Sequence, residues 1–363
     1  MICYSGRRDG VNLNRCPPRQ TPSAPTSPAD GVDLRRAVEL VEHRGAAAQL
    51  CVLRDGDVVL DRAVGAGPDT PFLLFSAGKP LTAMLVHRLA GQGAFALDDP
   101  LARHWPEFAA RGKDTITIRE VLQHRSGLPY AKSLRRDALL APDWRRSVRA
   151  LAQARPHWAP GRVPAYHVLS YGFLLGELVQ RVTGRPFREV LRAELLGPLG
   201  MRDTRLGGPG PGVPIGGVPG VRRVLFNQRF FREAPIPAAT MFSTARDLAR
   251  FYQAMLAGGS EQARTPSSDG EIDHVLGVPI RWSQGFQLGG PAGQPHRARP
   301  MGRRSSPLTF GHNGSNACLG WADPSRRLVV AYLTNRLQGG FEGSPHQCAV
   351  SDAVLTAADE ASE

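Results

Sequence analysis

Strand-like runs at both ends of the chain, separated by a long helical stretch, constrain the fold more than any other feature. Near the start, Ala48–Leu53 and Val58–Val64 flank the turn Arg54-Asp55-Gly56-Asp57, the pattern of a β-hairpin. Near the end, Trp282–Leu288, Leu308–His312, Ala317–Ala322 and Leu328–Leu333 read as strands, the last two joined by a turn at Asp323-Pro324-Ser325. Between these sets the apolar spacing is helical: about 76–90, Thr117–His124, Arg146–Gln153, Leu169–Val182, Pro186–Leu195 and Thr244–Leu256. Helices are also expected over 34–45 and near 346–358. The pattern predicts an α/β (α+β) molecule in which one sheet is made from both chain ends and a mainly helical region, about 80–270, is inserted between them.

The composition of 42% hydrophobic and 21% charged residues is that of a soluble globular protein with ample core. No run has the length and apolarity of a transmembrane helix. The first 33 residues carry Arg7, Arg8, Arg15, Arg19 and several prolines but no apolar signal-peptide core, and are expected to be a disordered extension. Residues 34–336 then form the folded domain, and 337–363 a C-terminal segment. Cys3, Cys16, Cys51, Cys318 and Cys348 are odd in number and widely spaced, which argues against a disulfide framework or a zinc site and suits a cytoplasmic location. Cys51 and Cys318 sit in strand-like runs, as small core residues do. The formal net charge of +13 would suit nucleic acid or an anionic surface. The arginines form only short clusters, the densest being Arg297, Arg299, Arg303 and Arg304, and no nucleic-acid-binding signature accompanies them, so no specific nucleic-acid partner is expected.

Of 45 basic residues only Lys79, Lys113 and Lys132 are lysine. One of the three stands in Ser76-Ala77-Gly78-Lys79, a serine and a lysine three residues apart at a helix start. With 20 serines, chance yields about 0.17 such tetrads. Lysine can be neutralised by its surroundings and act as a base, whereas arginine cannot. The serine would then have a base beside it, as an activated nucleophile requires. Pro80 fits the first helical turn, which puts Ser76 at a helix N-terminus that favours developing negative charge. The bland alternative is an ordinary helix start.

Two further segments fall in order behind the tetrad: Tyr166-His167-Val168 before a helix, and His312-Asn313-Gly314-Ser315 at a strand. With Ser76-Ala77-Gly78-Lys79 they resemble the three motifs of the serine β-lactamase-related superfamily of class C β-lactamases, DD-peptidases and family VIII carboxylesterases. Leu122–Leu128 and Ser243–Arg250 resemble other segments common there, and the likeness runs from roughly 35 to 336. The resemblance implies a β-lactamase/transpeptidase-like fold and a serine hydrolase working through an acyl-enzyme without metal or cofactor. It implies Ser76 as nucleophile, Lys79 as base and Tyr166 as proton shuttle. It also implies an oxyanion pocket from the backbone N–H groups of Ser76 and of Ser315, on the strand after Gly314.

Two positions depart from the family pattern. Val168 stands where the family has an asparagine that touches the substrate amide, and His312 where it has a lysine that helps bind the substrate carboxylate. Both changes point toward small-molecule esters. An acyltransferase, a β-lactamase or DD-peptidase, and a non-catalytic binding protein are the other readings. The Gly/Pro-rich stretch Gly207–Pro237 is expected to cover the acyl pocket with Phe226, Phe230 and Phe231, and Trp158 and Tyr130 are further candidates for its lining. His87, His104, His124, His157, His167 and His346 lack metal-ligand spacing and read as structural or exposed, His167 least securely because it adjoins Tyr166.

Overall fold

A computed structural model describes residues 32–217, 219–258, 261–290, 299–337 and 343–362; the expected N-terminal extension, Cys3, Cys16 and Arg297 lie outside them. In chain order the elements that matter here are α1 (Arg35–Glu42), β1 (Ala48–Arg54), β2 (Asp57–Val64), β3 (Phe72–Leu73) and α2 (Lys79–Gly91). Then come α3 (Ser170–Thr183), β4 (Arg205–Leu206), α4 (Val221–Asn227), α5 (Arg229–Arg232), β5 (Met241–Ser243) and α6 (Ala245–Ala257). The chain closes with β6 (Gln287–Leu288), β7 (Phe310–Gly314), β8 (Cys318–Asp323), β9 (Leu328–Thr334) and α7 (Gly343–Glu360).

The sheet joins the two ends of the chain as the patterning predicts. Its six strands run in the order β2-β1-β9-β8-β7-β6, and every neighbouring pair is antiparallel. Strand side chains alternate between faces, and the alternation here divides two cores. From β1 and β9, Leu50, Val52, Leu328, Val330 and Tyr332 enter the core under α1 and α7. Cys51, Leu53, Val329, Ala331 and Leu333 face the helical region on the other side. Burial on both faces is why β1 reads as a continuous apolar run, while the edge strand β2 is only half covered. Cys51, Cys318 and Cys348 are buried and free.

Element ends differ from the sequence reading where backbone geometry intervenes. Of Trp282–Leu288 only Gln287–Leu288 forms a strand, because the chain doubles back at Ser283–Phe286 with Gly285 at φ 131°. The helix expected over Thr117–His124 is Ile118–Leu122, opened by a Thr117/Glu120 capping box and ended before His124, which has φ 59°. Gly207–Pro237 is not a bare loop: it contains α4 and α5.

Three joints fix the region around Ser76. A short β3-β5-β4 sheet leads into it, and the Leu74 N–H donates to Met241 O at 2.8 Å. A single 3-10 turn, Phe75–Gly78, then passes into α2 with Pro80 in the first turn, where its missing N–H costs nothing. From the other side β7 presses on this turn so closely that a Cβ on Gly314 would run into Leu74 O and lie 2.9 Å from the Ala77 nitrogen.

The lower core supplies a stability test. Trp321 is fully buried between the sheet and α7, with its indole N–H donating to Ser351 Oγ at 3.2 Å. Trp321→Ala should cost about 3–5 kcal/mol in urea unfolding, while Val58→Thr on the exposed edge strand should stay within about 0.5 kcal/mol.

Candidate active site

The side chains that the motifs single out meet where α2, the segment before α3, and β7 converge. Lys79 is 1% exposed, and its Nζ lies 3.0 Å from Ser76 Oγ, 2.9 Å from Val168 O and 3.2 Å from Ala238 O. Among the described residues no carboxylate pairs with it. Burial alone drives its pKa well below the ordinary lysine value. The Tyr166 ring, with its centroid 4.8 Å from Nζ, pulls the other way. A ring face favours a cation by about 1–2 kcal/mol, but burying an unpaired ammonium costs several, so the neutral amine wins. Its two N–H groups then donate to Val168 O and Ala238 O. The lone pair is left for the Ser76 hydroxyl.

Burial, together with Asp273, raises the Tyr166 pKa above the ordinary tyrosine value despite the Ser76 side chain, which pulls it down, so it remains a phenol. Its ring lies parallel to Trp282 with centroids 5.2 Å apart. Asp273, itself fully buried, holds both partners: Oδ1 accepts the Tyr166 N–H at 3.1 Å and Oδ2 accepts the Trp282 indole N–H at 2.9 Å. Val168, next along, packs its side chain against the Tyr166–Trp282 cluster while its carbonyl serves Lys79.

His312 is buried in the middle of β7. Its Nδ1 lies 2.7 Å from Asn313 O and so carries the proton, which leaves Nε2 an acceptor with no partner among the described residues. Burial and the nearby Lys79 push its pKa down to about 3, and the imidazole is neutral above that. Gly314 is the point of contact with the Ser76 turn. Ser315 is not on a strand: it starts the β7–β8 turn at φ 50°.

Sequence reasoning missed several members of this cluster. His124 packs edge-on against Tyr166 at 4.9 Å and against Trp282 at 4.7 Å, and its Nδ1 accepts the His167 N–H at 3.2 Å. It is structural and buried rather than exposed. Burial and neighbouring histidines and Lys79 hold it neutral. Trp282, Asp273 and the Ala238 carbonyl carried no motif that could have announced them. His167 is a satisfied core residue, with Nε2 2.6 Å from Ser126 Oγ and Nδ1 2.6 Å from Ala165 O. Phe226 stands edge-on to Phe75 at 5.1 Å, Phe231 is buried, and Phe230 points to solvent with 56% of its surface exposed. Only Phe226 of the three therefore borders the nucleophile turn. Tyr130 stands edge-on to His157 at 4.4 Å, and Trp158 contacts His157 and His274. No cluster of His, Cys, Asp and Glu among the described residues could hold a metal ion, and no helix is long and apolar enough to cross a membrane.

Comparison with known proteins converges on the same residues' family. The Beta-lactamase family model matches residues 34–352. The chain is 30% identical to the esterase/beta-lactamase LipL of Mycobacterium tuberculosis, over 84% of this chain and 82% of that protein. It is 29% identical to the esterase EstB of Burkholderia gladioli, over 87% of this chain and 92% of that one. A crystal structure of a family VIII carboxylesterase superposes with a TM-score of 0.77 at 24% identity, covering 89% of this chain and 96% of the other.

The close approach at Gly314 is directly testable. Gly314→Ala must displace β7 from the Ser76 turn, because the obstructing atoms are backbone. Labelling of the protein by a fluorophosphonate should fall at least tenfold, on the order of 1.4 kcal/mol, with β-sheet circular dichroism retained. Labelling at the wild-type rate would mean that the contact does not position the site.

Proposed function

The chain belongs to the β-lactamase family and is a serine hydrolase, and from that premise we propose that it cleaves carboxylic esters through an acyl-enzyme on Ser76. The observation that carries this reading is the buried, carboxylate-free Lys79 amine 3.0 Å from Ser76 Oγ. A serine hydroxyl is a weak nucleophile until a base takes its proton. In acylation the Ser76 proton passes to Lys79 Nζ as Oγ attacks the ester carbonyl. The oxyanion would be met by the backbone N–H groups of Ser76 and Ser315, a pairing supported by the close approach of Gly314 to the turn that carries Ser76. Tyr166, still a phenol, protonates the leaving alkoxide and is reprotonated from the Lys79 ammonium. Water then attacks the acyl-enzyme along the same relay in reverse.

The substrate side of the site favours esters. A neutral His312 stands where a cation would be wanted for a carboxylate-bearing β-lactam or peptide end. Val168 presents an apolar side chain and no amide-binding group. The two relatives compared above, LipL and EstB, both carry the name esterase, which supports the same direction. LipL is also named a β-lactamase, and that second activity is the reading to test against.

Four measurements follow. Lys79→Arg keeps the charge but cannot release a proton at working pH, so fluorophosphonate labelling should drop on the order of a hundredfold or more, as in Lys79→Met. An active Lys79→Arg enzyme would refute the base assignment. In the wild type the acylation rate should rise with pH as Lys79 loses its proton, at a midpoint well below 10.5, the ordinary lysine value. Turnover of p-nitrophenyl butyrate should far exceed that of a chromogenic cephalosporin, and the reverse ranking of kcat/KM would favour the lactamase. Phe226→Ala should shift the preferred acyl chain length, because the ring borders the Ser76 turn; an unchanged preference would place Phe226 outside the acyl pocket.

A further inference from the structure

The α4–α5 segment has two apolar sides, and only one of them is used by the fold. Inward, Phe226 meets Phe75, Phe231 is buried, and Asn227 ties the helix down through Nδ2 to Ile215 O at 2.9 Å and Ile215 N to Oδ1 at 2.8 Å. Outward, Val221, Val224 and Phe230 are 83%, 57% and 56% exposed. These are three of the eight large apolar side chains that the described residues leave exposed, and they fall within ten residues of sequence. Surface helices ordinarily turn polar residues to water, so this outward set is out of place on a free surface.

Its charged residues are of one sign. Arg222, Arg223, Arg229 and Arg232 alternate with the apolar positions, and the nearest acid, Glu233, is paired with Arg229 at 2.8 Å. Arg222 lies over the Phe226 ring at 5.9 Å, and Arg223 and Arg232 reach back to Gly217 O at 3.2 Å and Gly212 O at 3.0 Å. No carboxylate neutralises these three guanidiniums among the described residues. Projecting apolar side chains interleaved with arginines are the composition of an element that lies in a lipid–water interface: the apolar tips enter the acyl region and the cations meet anionic headgroups. A groove shaped for a partner helix or strand would bury such side chains along its walls, whereas these project.

The position gives the element a purpose. Phe226, on the same short helix as Val221 and Val224, touches Phe75, the residue before Ser76. A surface docked on α4–α5 would lie beside the turn that carries Ser76. We propose that α4–α5 seats the protein on an anionic lipid surface and that its substrates include esters whose acyl chains reside in that surface. The inference rests on the ester-hydrolase reading for its substrate clause, while the docking clause stands on the segment alone.

Co-sedimentation with vesicles separates the two. Wild-type protein should pellet with vesicles of phosphatidylcholine and phosphatidylglycerol in equal parts, much less with phosphatidylcholine alone, and should be released by high salt. Val224→Asp/Phe230→Asp should weaken vesicle binding about tenfold or more, with an unchanged melting temperature and unchanged kcat/KM on soluble p-nitrophenyl acetate. It should also lose the rate advantage on a long-chain p-nitrophenyl ester carried in the anionic vesicles. Should that double variant not fold, Arg222→Gln/Arg229→Gln carries the test, with binding reduced and the salt dependence flattened. Wild-type protein that stays in the supernatant with anionic vesicles overturns the proposal, as does equal binding by both variants. A concentration-dependent dimer that the Asp variants dissociate overturns it too, because a second copy would then cover the face. Vesicle binding without any esterase activity would overturn the ester-hydrolase reading and leave the docking surface standing.

Discussion

A lysine amine buried without a carboxylate is the constraint on which the site depends. A charged ammonium there would be uncompensated, so the fold either neutralises Lys79 or pays several kcal/mol to keep its proton. Its partners select the neutral form. Lys113 makes the contrast: its Nζ meets three backbone carbonyls, of Ala110, Ala152 and Ala154, which are acceptors only and call for three N–H donors. Lys79 meets two carbonyls and one hydroxyl, and the hydroxyl can donate. The difference between a structural lysine and a base is thus one acceptor replaced by Ser76.

The fold brings those partners from distant parts of the chain. Val168 and Ala238 lie 89 and 159 residues from Lys79 in sequence. The sheet made from both chain ends supplies β7, whose Gly314 abuts the Ser76 turn, while the helical region supplies the two carbonyls and Tyr166. Asp273 adds a support of its own, since one buried carboxylate fixes both the Tyr166 backbone and the Trp282 ring against which Tyr166 lies. The neutral His312 completes the cluster from the β7 side.

Much of this was legible in the sequence, and what was not has physical causes. The strands at both ends announced the sheet, because two-residue alternation and turn chemistry are local signals. Ser76, Lys79, Tyr166 and His312 were legible because a family motif marks side chains. The carbonyls of Val168 and Ala238 were not, since any residue can present a backbone oxygen. Trp282 was assigned to a strand it does not occupy, because the Gly285 turn breaks the run. His124 had no ligand spacing, and only the convergence of distant segments shows it packed on Tyr166. Phe230 was expected near the pocket, but sequence period alone does not say which face of a short helix the neighbouring chain covers.

The central claim is the protonation state of Lys79, and the scarcity of lysine makes it measurable. With only Lys79, Lys113 and Lys132 in the chain, protein labelled with carbon-13 at lysine Cε gives three resonances, and Lys79→Arg identifies the one of interest. The account predicts that the Lys79 resonance titrates well below the ordinary 10.5, alongside Lys113, which is lowered to about 8. A Lys79 signal that stays that of an ammonium up to the ordinary lysine value would contradict it.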